Sequence, residues 1–477
     1  MRKITLLILI LISIYSYSQQ VINLDDVRKA GLYVVEITTI DNEEPEGQII
    51  TKPGTEDNQN MTYKNKVPCR IVISHGEDVL YDSGSYLKNT SGAIIRITGN
   101  TSAYFSDPLN MPYRIKLETA SDLLCRGNND VYKDKNWRLL KDAVTLNTIV
   151  GLKLSRIMGL EWTAAYVPCN VIINGDYRGC YLLMESMKRN EKCRINCDKK
   201  KGYIIEKDPY WWKENLSFSS TWYHDDNVYR WTWKYPDEED VTEENELYIN
   251  NYIVSMEESL QQGNYEDYID ISSFTKWILS HDILGTRDSW GSNMYIKKFD
   301  ESNQSRLELP CLWDFDSSYE IKPGTFSKLH IESNEYFYAL MNSSNPSFRN
   351  AYVQLWKEKK EEITNTLTAF LNEFEDTEEA KAIDISRKLY NNRWGYYYGT
   401  VKSDVQHTLK WINSHIPLLD QQIQSIETNI SEINYSHDDK YKQYYNIQGM
   451  KINTIKNNSI IICRDSNGKT TKFIKNR

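Results

Sequence analysis

The segment RDSWGSNMYIKKF at 287–299, followed by LELPCLWDFD at 307–316, decides how this sequence is interpreted. It places Asp288 five residues before Asn293 and ends on a second acidic pair, Asp314 and Asp316. Two short apolar runs lie between them and are joined by the polar segment DESNQSR, a pattern that predicts a β-hairpin. Such a hairpin would return the chain to its starting point and bring both acidic groups to one site.

These residue types fit the transfer of a phosphoryl group to a hydroxyl. Asp288 would orient the attacking hydroxyl, while Asn293, Asp314 and Asp316 would offer the hard oxygen ligands that Mg²⁺ prefers beside phosphate oxygens. Protein kinases supply the same parts in the same order, as an Arg-Asp…Asn loop, a hairpin and an Asp-Phe-Gly turn. Either motif alone is common in ordinary loops, so the ordered set carries the prediction.

Composition limits the class of protein. The chain has 477 residues, of which 40% are hydrophobic and 26% charged, as in soluble proteins with two or three domains. Its net charge of −9 argues against a nucleic-acid partner, because binding to nucleic-acid phosphates needs a basic surface.

The N-terminus predicts export. Two cations, Arg2 and Lys3, precede the apolar run ITLLILILI, so we assign residues 1–18 to a signal peptide. No later run is long enough to span a membrane, which predicts a secreted protein without a transmembrane segment after cleavage. Disulfides are therefore allowed, with Cys169 and Cys180 flanking a predicted hairpin; the pair Cys193 and Cys197 leaves zinc as an alternative.

The order of patterns predicts an α+β fold. Short alternating runs indicate an N-terminal β region at 19–90, and Asn174-Gly175 between two apolar runs indicates a hairpin. Helical spacing predicts a helix ending at Gly159, another over 272–285 capped by Ser272 or Ser273, and a largely helical region at 336–435. The aromatic cluster at 210–236 is either a substrate-facing insertion or a small core beneath a long loop.

Several motifs resemble the CotH-type family, which comprises atypical kinases first known from spore coats. The motifs that carry the resemblance are GNTS at 99–102, PYRIKL at 112–117, NWRLL at 136–140, LSRIMGLEWT at 154–163, VIINGDYRGCYLLMES at 171–186, GYIIEKD at 202–208, and NMYIKK with LWDFDSSYE around the hairpin. The resemblance implies a kinase-like core at 91–335, ATP, Mg²⁺ or Mn²⁺, and transfer to Ser or Thr of a protein. It gives Asp288 the catalytic place, and Asn293 and Asp314 the metal places.

The resemblance also concerns the cations that would hold phosphate. Glu185 matches an acidic residue that could pair with such a cation, and Arg114 or Lys116 could contact the nucleotide. The chain departs from the family at Thr98, at Asn110-Met111 where a Lys-Lys pair is common, and near Asn147 where an Arg is expected. These departures concern the phosphate-binding half of the site, whereas the metal-binding half matches.

The last residues, 440–477, change to short strands with Gly-containing turns, and they resemble small sorting domains of exported bacterial proteins. A simple terminal sheet is the alternative. Two functions follow for the whole chain. The first is an exported kinase that uses ATP and a divalent metal; the second is a catalytically weak or inactive surface protein with the same fold that binds a glycan or a protein.

Overall fold

The computed structural model describes residues 21–127, 130–141, 144–223, 228–286, 292–319, 334–437, 443–445, 459–464 and 470–475. The chain divides into two compact units, residues 1–419 and 420–477, and each is described by itself. Within the described residues, no helix is both long enough and apolar enough to cross a membrane. The predicted signal peptide lies outside the described residues.

An eight-stranded sheet dominates the first part of the larger unit. Its strands follow the order β1-β9-β10-β8-β7-β6-β4-β5, and a further pairing of β1 with β4 closes the first seven into a barrel. β1 and β9 run parallel, whereas the other neighbours are antiparallel. The strands are β1 (Tyr33–Thr39), β4 (Val67–His75), β5 (Asp78–Asp82), β6 (Ala93–Ile97), β7 (Tyr113–Ser121), β8 (Asp134–Lys141), β9 (Tyr166–Ile173) and β10 (Asp176–Glu185).

Alternating side chains explain why this sheet closes on itself. In β7, Tyr113, Ile115 and Leu117 are buried inside the barrel, while Arg114 and Lys116 lie on its outer face. The predicted half-buried strand is thus confirmed. Alternation of this kind gives each strand one apolar face, and closure buries all of these faces in one core. The barrel therefore combines strands of the predicted N-terminal β region, residues 19–90, with strands that follow it in the chain.

Two local predictions in this region are confirmed. Asn174 and Gly175 join β9 to β10, and both have positive φ, as a tight hairpin turn requires. Helix α3 (Leu146–Met158) follows β8 and ends at Gly159, which adopts a left-handed conformation and closes the helix. The smaller elements before it are α1 (Leu24–Arg28), the hairpin of β2 (Gly47–Thr51) with β3 (Gln59–Tyr63), and α2 (Thr101–Tyr104).

A second sheet and a set of helices complete the larger unit. The sheet has the order β12-β13-β11-β14-β15 and contains the predicted hairpin as β14 (Met294–Lys298) and β15 (Leu307–Glu308). Its other strands are β11 (Tyr203–Asp208), β12 (Ser217–Phe218) and β13 (Arg230–Tyr235). The helices beside it are α4 (Glu243–Gln262) and α5 (Ile271–Leu284).

Helix α5 corrects one detail. Its N-terminal cap is Asp270, whose carboxylate accepts a hydrogen bond from the backbone N–H of Ser273, so neither Ser272 nor Ser273 is the cap. An Asp at this place satisfies an N–H that the first helical turn leaves unpaired, and its negative charge also suits the positive end of the helix dipole.

The predicted helical region is also present. It consists of α6 (Glu335–Asn342), α7 (Ser347–Phe374), α8 (Glu378–Trp394) and α9 (Val401–His437). In the second unit, the described segments β16 (Gln443–Tyr445), β17 (Ser459–Arg464) and β18 (Thr470–Lys475) pair as an antiparallel sheet. The α+β class is therefore confirmed, with a barrel in the N-terminal part and helices in the C-terminal part.

Candidate active site

The acidic turn after β15 presents its two carboxylates to solvent. Asp314 and Asp316 are exposed, whereas Phe315 between them is buried. The Phe315 ring lies directly on Gly151 of α3, where an added Cβ would come 2.2 Å from a ring carbon. Glycine at position 151 therefore makes room for Phe315, and the buried ring aims its two acidic neighbours outward.

The backbone of this turn is held from two sides. Asn147 of α3 donates two hydrogen bonds through Nδ2, one to the carbonyl oxygen of Asp316 and one to that of Ser318, both 3.1 Å long. The N–H of Tyr319 donates to the carbonyl oxygen of Leu284, the last residue of α5. The turn is thus fixed against the end of the helix that leads toward Asp288. Asp288 itself lies outside the described residues.

Asn293 stands at the start of β14, half-buried and with φ of 58°. On the neighbouring strand β11, Lys207 pairs with Met294, and Asp208 is the next residue of β11. Asp208 is buried and accepts hydrogen bonds from the backbone N–H of Tyr210 and from Thr232 Oγ1. Burial, with a contribution from Glu206, raises the pKa of Asp208 to about 7.

Three arginines stand side by side on the outer face of the barrel. The strand registers pair Arg96 of β6 with Arg114 of β7, and Arg114 with Arg138 of β8. We call Arg96, Arg114 and Arg138 the arginine row. Like charges directly opposite each other in a sheet are destabilising, so this arrangement costs free energy unless an anion offsets it.

The charges of the row are only weakly compensated. Burial, followed by Arg138 and Arg96, lowers the pKa of Arg114 to about 10, while Asp237 and Glu214 act in the opposite direction. Across the described residues, none of the three arginines forms an ion pair with a carboxylate, and the buried Nε of Arg138 has no hydrogen-bond partner. A buried N–H of this kind is suited to a ligand oxygen.

The arginine row reaches the acidic turn. The Arg138 guanidinium lies 5.4 Å from the centre of the Trp313 ring, and Trp313 directly precedes Asp314. One member of the row therefore contacts the residue that directly precedes the acidic turn. Arg96 and Arg138 could not be predicted from the sequence, because only the strand register reveals that they flank Arg114.

The other two predicted nucleotide contacts are placed differently. Lys116 is exposed on the same face as Arg114, with Ile94 and Asn136 as its cross-strand neighbours. Glu185 pairs with Trp137, and Trp137 pairs with Ile115, so Glu185 belongs to the inward face. The structure thus separates Glu185 from Arg114 and Lys116 by the thickness of the sheet.

The cation that Glu185 contacts is Arg126, whose guanidinium lies 3.0 Å from its carboxylate. Trp162 Nε1 and the N–H of Ala165 donate to the other carboxylate oxygen. The Trp162 ring also stacks on Trp313, with 6.1 Å between ring centres. Glu185 therefore supports the acidic turn through two tryptophan rings and is itself buried and fully engaged.

The loop at Gly99-Asn100 lies near the far end of the arginine row. Lys213 donates to Asn100 Oδ1 and to the carbonyl oxygens of Gly99 and Met61. Burial lowers the pKa of Lys213 to about 8, and Arg96 contributes in the same direction. A residue from the aromatic segment therefore clamps the loop that the GNTS motif forms.

Part of the aromatic cluster at 210–236 is core. Tyr223, Trp231 and Trp233 are buried, and Trp231 stacks on Tyr336 of α6 with 6.3 Å between ring centres. These three residues therefore fit the interpretation of a small core beneath a long loop, and not that of a substrate-facing insertion. Trp211 is half-buried, and the Arg230 guanidinium lies over its ring.

The sequence allows a disulfide between Cys169 and Cys180, and a disulfide or a zinc site at Cys193 and Cys197. Tyr181, next to Cys180, pairs with Cys169, so Cys169 and Cys180 occupy opposite faces of the β9–β10 hairpin and cannot bond to each other. Both members of the second pair, Cys193 and Cys197, are free thiols. Within the described residues, no group of three or more His, Cys, Asp or Glu side chains is arranged to hold a metal.

The fold and the site together define an α+β protein in which a row of cations on a β-barrel meets an exposed acidic turn. The chain matches the family described as CotH kinase protein over residues 95–417, which is more than half of its length, and it belongs to that family. No curated protein matches it. Membership points to a kinase-like function and to the use of ATP.

Proposed function

We propose that this protein is an exported CotH-like kinase that transfers a phosphoryl group from ATP to Ser or Thr hydroxyls of a protein, with Mg²⁺ or Mn²⁺. The observation that carries the proposal is the meeting of the arginine row with the acidic turn at Trp313. Phosphoryl transfer needs cations on the phosphates and carboxylates for the metal, and the Arg138–Trp313 contact links the two sets of groups.

The donor chemistry of the residues fits these groups. The oxygens of Asn293, Asp314 and Asp316 would hold the divalent metal, whose charge offsets the negative charge of the phosphates in the transition state. Arg96, Arg114 and Arg138 would bind the phosphate oxygens through their N–H groups, and the unpartnered Nε of Arg138 supports this assignment. Lys116 would lie at the edge of the row, and Glu185 would act indirectly through Trp162 and Trp313.

Asp288 would orient the acceptor hydroxyl, a role that comes from its spacing to Asn293 and from the family pattern. The proposed export of the chain, and its proposed place outside the cell or at the cell surface, rest on the N-terminal apolar run. The proposed sorting role of residues 440–477 rests on their sequence pattern. A kinase-like core at 91–335 is supported by the order of its parts, since the hairpin and the turn follow the helix that leads to Asp288.

The test is incubation of the purified chain with labelled ATP and Mn²⁺, scored for phosphate transfer. Asp288→Ala and Asp314→Ala should each lower the rate by a factor on the order of a hundred or more, because each removes a group that acts in the transition state. Asp78→Ala, which truncates an exposed carboxylate on β5, is the matched control and should leave the rate unchanged. Unaltered transfer in both site variants would contradict the proposal.

The alternative is a surface protein that keeps the fold and binds a glycan or a protein. Burial of Tyr223, Trp231 and Trp233 withdraws these three rings from such a binding face. Thermal unfolding separates the two functions. ATP with Mg²⁺ at about a hundred times the dissociation constant stabilises a nucleotide-binding protein by about 2.7 kcal/mol, whereas a pure glycan or protein binder shows no shift.

A further inference from the structure

The side chain of Asn147 hydrogen-bonds helix α3 to the acidic turn. Its Nδ2 group has two hydrogens, and it meets two carbonyl oxygens, those of Asp316 and Ser318, each at 3.1 Å. The number of donors therefore equals the number of acceptors. The arrangement needs the amide nitrogen on this side, because an oxygen in its place would repel both carbonyls.

The helix that carries Asn147 is a firm support. Its Gly151, one turn further on, receives the Phe315 ring, so α3 contacts the turn through packing as well as hydrogen bonding. Just before the helix, the carbonyl oxygen of Val144 accepts a 2.8 Å hydrogen bond from the buried Arg387, which also pairs with Asp404. Val144 has φ of 54°, a conformation that a β-branched residue rarely adopts, so this bond holds a strained backbone in place.

The turn itself needs such support. Asp314 and Tyr319 both have positive φ, at 65° and 62°, and the two carboxylates stand on either side of a single buried ring. Mg²⁺ and Mn²⁺ sites tolerate little error in the positions of their oxygen ligands, and Mg²⁺ in particular requires near-octahedral geometry. Small rotations of the backbone at 316–318 would move Asp314 and Asp316 relative to each other.

We infer that Asn147 is a positioning residue, which fixes the Asp314–Asp316 turn in the geometry that a divalent metal requires. The metal part of this inference rests on the proposed function. Asn147 touches neither the metal nor the phosphates in this assignment; it acts through the backbone of the turn. Groups that orient metal ligands in this way typically change metal affinity by 10- to 100-fold when they are lost.

The experiment uses the full chain and the substitution Asn147→Asp, which keeps the shape of the side chain and removes both donors. Asn392→Asp, at an exposed position of α8, makes the same chemical change away from the turn and serves as the control. The first measurement is hydrogen exchange of residues 312–319 without metal. The N–H groups of Ser318 and Tyr319 are hydrogen-bonded, and in Asn147→Asp they should exchange on the order of tenfold faster, while Asn392→Asp matches wild type.

The second measurement is Mn²⁺ binding, followed by the electron paramagnetic resonance signal of free Mn²⁺. Asn147→Asp should weaken binding at least tenfold relative to wild type, and Asn147→Gln, which retains the two donors, should recover part of the loss. Unchanged exchange in Asn147→Asp would overturn the inference, and so would faster exchange with unchanged Mn²⁺ affinity. Absence of Mn²⁺ binding in wild type would instead overturn the metal part of the proposed function, and the exchange data alone would then decide whether Asn147 fixes the turn.

Discussion

The two faces of the barrel wall use arginine in opposite ways. In the loop after β7, Arg126 contacts the carboxylates of Asp122 and of the inward-facing Glu185, each at 3.0 Å. On the outer side, the members of the arginine row have one another as cross-strand neighbours. A cation that the fold already neutralises has a structural role, whereas stacked like charges remain available to an anion from outside.

The pKa directions show the same contrast. Burial by itself would lower the pKa of Arg126, but its bonds to Asp122 and Glu185 raise it above the ordinary value. Burial and two neighbouring arginines lower the pKa of Arg114 to about 10. The first arrangement favours the charged form and the second opposes it, so a bound phosphate would relieve a repulsion that the folded protein otherwise retains.

The largest expected effect is on the inward side. Arg126→Met should lower the free energy of unfolding by about 2–3 kcal/mol, because it leaves the buried Glu185 carboxylate without its cation. The expected loss of stability is smaller than for a fully buried ion pair, since 24% of the Arg126 side chain is exposed to solvent. Chemical denaturation measures the change, with the exposed Arg156→Met on α3 as the control. A loss no larger than that of Arg156→Met would show that the pair is not structural.

The next effect is on the outer side. Arg114→Met should leave the free energy of unfolding unchanged or raise it by about 0.5 kcal/mol, since it removes a repulsion between neighbouring strands. The same variant should weaken ATP binding on the order of tenfold, because a charge-assisted hydrogen bond to phosphate is lost. Denaturation and calorimetric titration with ATP and Mg²⁺ give both values. If Arg114→Met were destabilised but bound ATP normally, Arg114 would have a structural role like that of Arg126 and not a ligand-binding role.

The smallest effect concerns Asp208, the last residue of β11. Its folded-state pKa of about 7 is raised above the ordinary value for a carboxyl, so the folded protein binds this proton more tightly than the unfolded chain does. The stability that it contributes is therefore present at low pH and is lost as the pH rises toward 7. Asp208→Asn, which stays neutral, should gain about 2 °C in melting temperature relative to wild type between pH 5 and pH 8. If the melting temperatures of the two proteins changed equally with pH, the raised pKa of Asp208 would be contradicted.

Local patterns were enough for much of the fold. The turn at Asn174-Gly175, the helix that ends at Gly159 and the hairpin before Asp314 are each encoded within a few residues, so the sequence predicted them. The cap of α5 was assigned wrongly because Asp270 and Ser273 are both good capping residues, and only the backbone geometry shows which one accepts the bond.

The candidate site was predictable only in part. The acidic turn is contiguous in sequence, and so the roles proposed for Asp314 and Asp316 could be derived from spacing. Arg96, Arg114 and Arg138 are separated by 18 and 24 residues, and their register depends on how three strands pair. The sequence did not indicate the role of Asn147 in holding the turn, because its partners are backbone carbonyl oxygens, which every residue possesses.

The sequence by itself determined the elements of this protein, the order of its chemical groups and the family to which it belongs, because these depend on residue types at short spacing. Only the tertiary structure decided which cation contacts the residue before the acidic turn and which is neutralised by Asp122 and Glu185. The physical reason is that one step along a strand moves a side chain to the opposite face of the sheet. Arg114 and Glu185 are therefore separated by the barrel wall, while Arg96 and Arg138, distant in sequence, become the neighbours of Arg114.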